Sequence, residues 1–387
     1  MKIVILSTSS ESGGAAIASS RLAISLRSLG QDVKMLTFSG TKLTTFLPER
    51  VEIFMRNGFS RKDLFKVSTA RFGKSVAEHP DVREADVILL GWINQGFLSL
   101  GEIARLGKPV IWTMHDMWCM TGICHHALGC RNFHEQCGNC RFIHGPAHRK
   151  NDLSHKIWQK KNELYKSVPI HFVAVSRWLA DQAAASSLLG KMPVHVISNP
   201  HPVDDYRAKA GEENIVVMGA ARLDDPIKGL DMAIDALNSV YDEGVRCSAE
   251  FFGAIRNPNL LRRLRIPYKW RGQIAGDDLR RLYARASVVL NSSHYETSGN
   301  TLIEGMAAGA VPVSFNQGGQ TDIIEHLHTG YLAKYPDTSD LARGLRWALK
   351  SDIQPELLHE SAAQKFSADH IGQQYLKIID RIVNEKK

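Results

Sequence analysis

KIVILSTSSESGGAAIASSRLAISLRSLGQDVKMLTF, residues 2–38, decides the fold class. Residues 2–7 are a short apolar run of strand composition, and a polar turn containing Gly13 and Gly14 follows. Residues 15–29 carry apolar side chains at helical spacing and stop at Gly30, and 32–38 reads as the next strand. Two strands joined through a helix run parallel, because the helix carries the chain back to the edge where the first strand began. The alternation continues with strands at 86–90, 109–114, 170–175 and 194–197 and helices at 95–106, 153–166 and 176–188. It stalls at Ser198-Asn199-Pro200-His201-Pro202 and the polar stretch 208–213, which reads as a linker. It then restarts, with strands at 214–219, 247–252, 288–291 and 311–315 and helices at 228–241, 277–286, 301–308, 340–350 and 370–384. The expectation is two Rossmann-like parallel-sheet domains, 1–198 and 214–366, joined by 199–213. Residues 367–387 form a closing helix that packs back toward the first domain. Ligands are expected at the carboxyl ends of the strands, in a central cleft.

A chain of 387 residues is too long for one ordinary core and suits two. No apolar run approaches the roughly 20 residues that span a bilayer, and residues 3–6 are too short an apolar run for a signal peptide. The expectation is therefore a cytoplasmic protein. The net charge of +8 fits a phosphorylated donor, anionic lipid or nucleic acid, or simply a soluble surface. Two function classes fall away on pattern. A dinucleotide-binding oxidoreductase would show G-x-G-x-x-G after the first strand and an acid ending the second, and here the loop reads SSESGGAA. A nucleic-acid binder would concentrate its basic residues, which here are spread over several segments, and the cysteine spacing fits no common finger.

The second half carries the strongest chemical signal. In HYETSGNTLIEGMAAGAVPV, residues 294–313, Glu296 precedes a helix opened by Gly299, Asn300 and Thr301, and Glu304 lies on that helix's first turns. A helix N-terminus offers unpaired N–H groups and a positive dipole end, which suits a diphosphate. Glu296 and Glu304 can each accept hydrogen bonds from paired hydroxyls, and a sugar nucleotide has two such sets. The plainer reading is that Glu304 complements the helix dipole. Upstream, Arg222 and Lys228 flank a proline turn after the domain's first strand, where two cations could neutralise a diphosphate leaving group. Taken alone they are also an ordinary surface pair.

Together these motifs resemble family GT4 of the retaining glycosyltransferases, whose fold is GT-B. The family pattern R-x(5)-K-G is Arg222 with Lys228-Gly229. E-x(7)-E is Glu296 with Glu304, followed by a small-residue helix and Ala308-Gly309-Ala310-Val311-Pro312-Val313. The resemblance covers most of the chain. It extends to Gly13-Gly14, to His115 in WTMHD, to AVSRWL at Ser176, to ISNPHPVDD, and to Gly318-Gly319-Gln320-Thr321-Asp322-Ile323-Ile324, where Asp322 replaces a glutamate. It implies a hexosyltransferase using a UDP- or GDP-sugar. Arg222 and Lys228 would bind the diphosphate, and Glu304 the ribose. Glu296 would hold the transferred sugar, with amides near Gly299, Asn300 and Thr301. Gly13 and Gly14 would allow close backbone approach to phosphates or acceptor, and His115 would line the reaction centre. His115 equally reads as a packed histidine. The resemblance also implies that the transfer requires no divalent metal and no protein base, the donor phosphate itself taking the acceptor proton.

Five of the six cysteines fall between Cys119 and Cys140. Cys124, Cys130, Cys137 and Cys140 could satisfy a structural zinc within an insertion at 117–150, or remain reduced or act as a redox pair. The segment resembles a GT4 subgroup that includes the colanic acid galactosyltransferase, although Arg141 stands where that subgroup often has proline. This implies a glycan or lipid-linked sugar acceptor in capsule, exopolysaccharide or O-antigen assembly. Residues 56–74 interleave Arg56, Arg61, Lys62, Lys66, Arg71 and Lys74 with Phe59, Leu64, Phe65, Val67 and Phe72. As a basic amphipathic helix they would hold the protein peripherally on the anionic inner membrane; otherwise the apolar residues pack inward and the basic ones are solvated.

Overall fold

A computed structural model of the chain describes residues 1–11, 13–37, 44–208 and 214–385. The chain divides into two compact units, Met1–Ile197 with Gly372–Lys387, and Ser198–Ile371. Phe38 and residues 209–213 of the expected linker lie outside the described residues.

In the first unit the strands are β1 (Lys2–Ser7), β2 (Asp32–Thr37), β3 (Val87–Leu90), β4 (Val110–Met114), β5 (Ile170–Ala174) and β6 (Val194–Val196). All neighbours pair parallel, in the order β2-β1-β3-β4-β5-β6. β3 and β4 are buried at every position, as interior strands covered on both faces must be. The helices are α1 (Gly14–Ser28), α2 (Phe46–Arg56), α3 (Pro80–Glu84), α4 (Leu100–Arg105), α5 (Leu153–Ser167) and α6 (Arg177–Ala185). The strand order reverses between β1 and β3, so the loops leaving these strands diverge and open a crevice there.

The second unit holds β7 (Ile215–Arg222), α7 (Leu230–Asp242), β8 (Ser248–Ala254), β9 (Tyr268–Trp270), α8 (Gly276–Arg285) and β10 (Ala286–Asn291). It continues with α9 (Asn300–Ala307), β11 (Val311–Phe315), β12 (Tyr331–Ala333), α10 (Thr338–Leu349) and α11 (Pro355–Phe366). Its sheet is also parallel, ordered β12-β11-β10-β7-β8-β9, and reverses between β7 and β10. Residues 199–208 are built into this unit: Asn199, His201 and Val203 are buried, and the His201 N–H donates to Phe366 O at 2.9 Å. α12 (Ala368–Asn384) starts here and from Gly372 belongs to the first unit, where the Tyr375 and Thr113 hydroxyls lie 2.8 Å apart.

The basic helix expected at 56–74 is overturned. Arg56 is the last residue of α2, and Phe59, Asp63 and Ala70 have φ near +60°, +59° and +45°, which an α-helix cannot contain. Val67, Ser68, Thr69 and Ala70 are buried, and Val67 bridges Cys124. Buried Glu49 fixes this stretch to α2 by accepting from the Thr69 and Ala70 N–H groups at 2.8 and 3.0 Å.

Candidate active site

β7 and β10 deliver the second unit's candidates to its reversal point. β7 ends on Arg222, and the turn beyond it is made by Pro226, Ile227 and Lys228, with the Asp225 carboxylate accepting from the Ile227 N–H. Gly229 must be glycine. Its φ is +61°, and a Cβ there would meet Ser292 O at 2.2 Å. That close approach lets the Ser292 hydroxyl donate toward Lys228 O and Gly229 O at 3.0 and 2.9 Å, while the His294 N–H donates to Ile227 O. The Lys-Gly turn is thus sewn to the loop leaving β10.

The seam brings Lys228 Nζ to 2.7 Å from Glu296 Oε1. The same oxygen accepts from Ser293 Oγ at 2.6 Å and Asn291 Nδ2 at 3.4 Å. Burial alone would raise the Glu296 carboxyl, but the Lys228 charge and the hydrogen bonds from Lys228, Ser293 and Asn291 outweigh it and hold it below the ordinary range. Its backbone is held too. The Glu296 N–H donates to Gln320 Oε1 at 2.9 Å, and Glu296 O accepts from the Gly319 N–H at 2.7 Å. A Cβ on Gly318 would meet Glu296 N and O at 2.8 Å.

Three residues on, Gly299 (φ +92°) opens α9 with no side-chain cap, leaving the first amides, those of Asn300 and Thr301 included, without a capping side chain. Glu304 lies on α9, largely buried, with Oε1 3.9 Å from Nδ1 of buried His201. Arg222 occupies the same loop, but its Nη2 donates to Asp225 Oδ2 at 2.8 Å and its Nε lies 3.7 Å from Asp224 Oδ1. No ion pair or hydrogen bond joins it to Lys228 or Glu296 among the described residues. The structure therefore unites Lys228 with Glu296 and holds Arg222 in a local acidic clamp. Asn291, Ser293, Asp225, Gln320 and His201 were given no role by the sequence reading. The first two were signalled by their place at a strand end directly before Glu296.

Gly13, Gly14 and His115 belong to the first unit. Gly13 caps α1 at φ +95°, ψ 158°, and no atom lies within 4 Å of where its Cβ would stand. Backbone conformation, rather than crowding, demands glycine there. Its loop leaves β1 at the reversal point and is tied to the chain after β3, the Thr8 N–H donating to Trp92 O at 2.7 Å. His115 follows β4 directly. Burial pushes its imidazole down to about 4, against the opposing charge of Asp116, so the ring is neutral near pH 7. Burial likewise opposes ionisation of Asp116, but His125, His126 and the Trp118 N–H bring its carboxyl to about 2. It accepts from Trp92 Nε1 at 2.8 Å, and His125 Nδ1 lies 2.7 Å away.

The structure does not support the zinc expectation at Cys124, Cys130, Cys137 and Cys140. Among the described residues no group of three or more His, Cys, Asp or Glu side chains is placed to hold a metal ion. Cys124, Cys137 and Cys140 are buried, Cys130 is half-buried, and all are unpaired by disulfides. Burial pushes the three buried thiols up to about 12, with the other cysteines' charges adding to it, so they stay protonated and pack as small apolar groups in the first unit's core.

Residues 212–351 match the family described as Glycosyl transferases group 1, a span that contains Arg222, Lys228, Glu296 and Glu304. WcaC of Escherichia coli (strain K12), named for glycosyl transfer in colanic acid biosynthesis, is 26% identical over 155 residues, 38% of this chain and 36% of that one. The N-acetyl-alpha-D-glucosaminyl L-malate synthase of Bacillus anthracis is 30% identical over 115 residues, 29% of this chain and 30% of its own. The chain thus spans about a third of the length of these curated relatives. The crystal structure of Anabaena Alr3699/HepE in complex with UDP and glucose superposes over 98% of this chain and 100% of that one, at TM-score 0.64 and 18% identity. The fold is GT-B.

Proposed function

We propose that the chain is a retaining GT4 hexosyltransferase of the cysteine-containing subgroup. It moves a hexose from a UDP- or GDP-sugar to a glycan or lipid-linked sugar acceptor in capsule, exopolysaccharide or O-antigen assembly, at the cytoplasmic face of the membrane. The observation that carries this reading is the Lys228–Glu296 pair at the β7/β10 reversal point, ahead of the uncapped α9. A diphosphate at the α9 amides would meet the helix dipole and the Lys228 ammonium, with Arg222 in reach once it leaves Asp225. Glu304 would accept from the ribose hydroxyls and Glu296 from those of the transferred sugar. Neutral His115 would line the reaction centre, and Gly13 and Gly14 would give the phosphates or acceptor close backbone access.

As the glycosidic bond breaks, charge grows on the leaving diphosphate, and fixed cations and amides stabilise it at that moment. This supplies the role of a divalent metal from the chain itself. The donor phosphate takes the acceptor hydroxyl's proton, so no protein base is assigned. UDP is favoured as the base carrier because the Anabaena structure holds UDP. The test is a thermal-shift and nucleotide-release screen across UDP-, GDP- and ADP-sugars, followed by determination of the product's anomeric configuration. A ligand bound by the native state raises its melting temperature. Failure of every sugar nucleotide to stabilise the protein defeats the reading, and an inverted product defeats its retaining part.

A further inference from the structure

α2 is inside out. It buries Glu49, Arg50, Glu52 and Ile53, and turns Leu47, Val51 and Met55 outward at 47%, 43% and 51% exposure. The buried ions are all used: Glu49 by Arg50, Thr69 and Ala70, and Glu52 by Arg71, while the Arg50 guanidinium bonds the Leu64 and Val67 carbonyls. The helix is therefore locked in this orientation, and its spacing of four residues lines up an apolar stripe on the surface. Phe59 and Phe65, at 71% and 65% exposure, follow directly in the chain. Arg56, Arg61, Lys62 and Lys66 are exposed around them.

A cavity of about 350 Å³ begins at the end of that stripe. Met55 and Arg56 form one wall, and Arg71, Arg149, Lys156 and Lys160 complete its cationic lining. The acid in the lining is Asp152, whose carboxylate is buried and occupied by the N–H groups of Cys140, Ser154 and His155 and the Ser154 hydroxyl. Arg71 is paired with Glu52; Arg56, Arg149, Lys156 and Lys160 form no ion pair among the described residues. Like charges facing one concavity repel unless an anion sits among them, and the concave wall focuses their field.

We infer that the α2 stripe and this cavity form one docking site for an anionic phospholipid bilayer, the cavity taking a headgroup phosphate and the stripe entering the acyl boundary. An apolar stripe alone would fit many partners. Its continuity with an unneutralised cationic pocket matches a surface that is apolar below and phosphorylated above. The inference deepens the membrane-face part of the function proposed above, and it stands or falls on binding alone, without any transfer step.

The experiment is co-sedimentation of the full chain with phosphatidylcholine vesicles, with and without phosphatidylglycerol. The proteins compared are the parent, Arg149→Glu/Lys156→Glu/Lys160→Glu, and Val51→Ser/Met55→Ser, each checked for fold by circular dichroism. The parent is expected to sediment only with phosphatidylglycerol, and less as salt rises. Each basic residue near an anionic surface contributes about fivefold, so the charge-reversed protein should lose at least about a hundredfold in affinity. The stripe variant should bind vesicles more weakly yet retain parental pyrophosphate binding at the cavity, read by calorimetry as the part of the signal that the charge-reversed protein lacks. Equal binding to both vesicle types, or undiminished binding by the charge-reversed protein, overturns the proposal. Loss of pyrophosphate binding in the cavity variant with parental vesicle binding by the stripe variant assigns the cavity to a free phosphate compound and also overturns it. UDP affinity of the parent, measured separately, tests the donor reading, so the two fail independently.

Discussion

Replacing Lys228 with alanine removes the cation that Glu296 was built around. The ammonium stands 2.7 Å from Glu296 Oε1, with Ser293 Oγ and Asn291 Nδ2 as the carboxylate's other named donors. Both side chains keep some solvent, at 25% and 19% exposure. The folding cost should therefore fall below the 3–5 kcal/mol of a fully buried broken pair, at about 1–2 kcal/mol. The catalytic cost should be larger. Removing one preorganised charge-stabilising donor costs about 10²-fold or more in turnover, about 2.7 kcal/mol of barrier. The pH dependence has a definite sign. Glu296 is held below its ordinary value in the folded state, so its contribution to stability is full above the unfolded carboxyl range and is lost as pH falls through the lowered folded value. Without Lys228, burial of the carboxyl is opposed by the neutral hydrogen bonds from Ser293 and Asn291, and the acid limb should move to higher pH. Nucleotide release from the best-stabilising sugar donor gives the rate, and urea unfolding at pH 7 and pH 4.5 gives the stability. A folded Lys228→Ala protein turning over within about fivefold of the parent would refute the assignment of Lys228 to the leaving diphosphate.

Other outcomes follow from the same geometry. Glu304→Ala should weaken binding of the preferred nucleoside diphosphate at least about tenfold by calorimetry, the scale of a hydrogen bond to a charged group, and parental affinity would remove Glu304 from the ribose site. Gly13→Ala should destabilise by about 1–3 kcal/mol in urea through its φ of +95° alone, because no neighbour stands near the new Cβ. His115, pushed down to about 4 by burial, takes up fewer protons than its unfolded form between about pH 4 and 6.5, so stability should rise with pH across that window. Parent-minus-His115→Gln unfolding free energies should show that slope, and a flat difference would refute it. Elemental analysis of purified protein decides the zinc expectation: about one zinc per chain supports it, and no zinc, with buried thiols that react with a disulfide reagent only after denaturation, removes it.

Much of this architecture was legible in the sequence, for a physical reason. Interior parallel strands are apolar on both faces, so β1, β3, β4, β10 and β11 appear as short dense runs between helical stretches. β9 and β12 did not appear: three residues leave little to read, although the equally short edge strand β6 was read at 194–197, and Tyr268–Trp270 is exposed throughout. Lys228 and Glu296 are 68 residues apart and were paired on motif spacing. What the spacing could not reveal is the second layer around them: Ser293, Asn291, Gln320, and the Asp225 that holds Arg222. Such donors are set by how loops cross, and loop crossings leave no periodicity. The helical reading at 56–74 failed for a related reason. Its interleaved basic and apolar residues satisfy a helical count, but left-handed backbone at Phe59, Asp63 and Ala70 is a tertiary choice.

The cysteine segment shows how one pattern can serve two physical ends. Thiols bind metal as thiolates, and the metal itself displaces their protons; without a metal, ionisation needs water or a nearby cation. Here the cation is Lys161, fully buried on α5, and its chemistry runs the other way. Its Nζ donates to Trp118 O at 2.5 Å and Thr121 O at 3.0 Å, and stands 3.2 Å above the Trp118 ring. Burial lowers it to about 7, against the upward pull of Cys119, Cys137, Cys124 and Asp116. A lysine so depressed is a weak source of positive potential, and the thiols around it accordingly stay high. What Lys161 does hold, through two carbonyls and one ring, is the turn at residues 118–121, directly after His115 and Asp116. The Tyr165 hydroxyl donates to Cys119 O and the Ser186 hydroxyl to Met120 O, both at 3.0 Å, and both bonds pin the same turn. The insertion is thus a packed brace behind the end of β4. Its cysteines pack within that brace, and the turn after His115 is held by carbonyls that accept from Lys161, Tyr165 and Ser186.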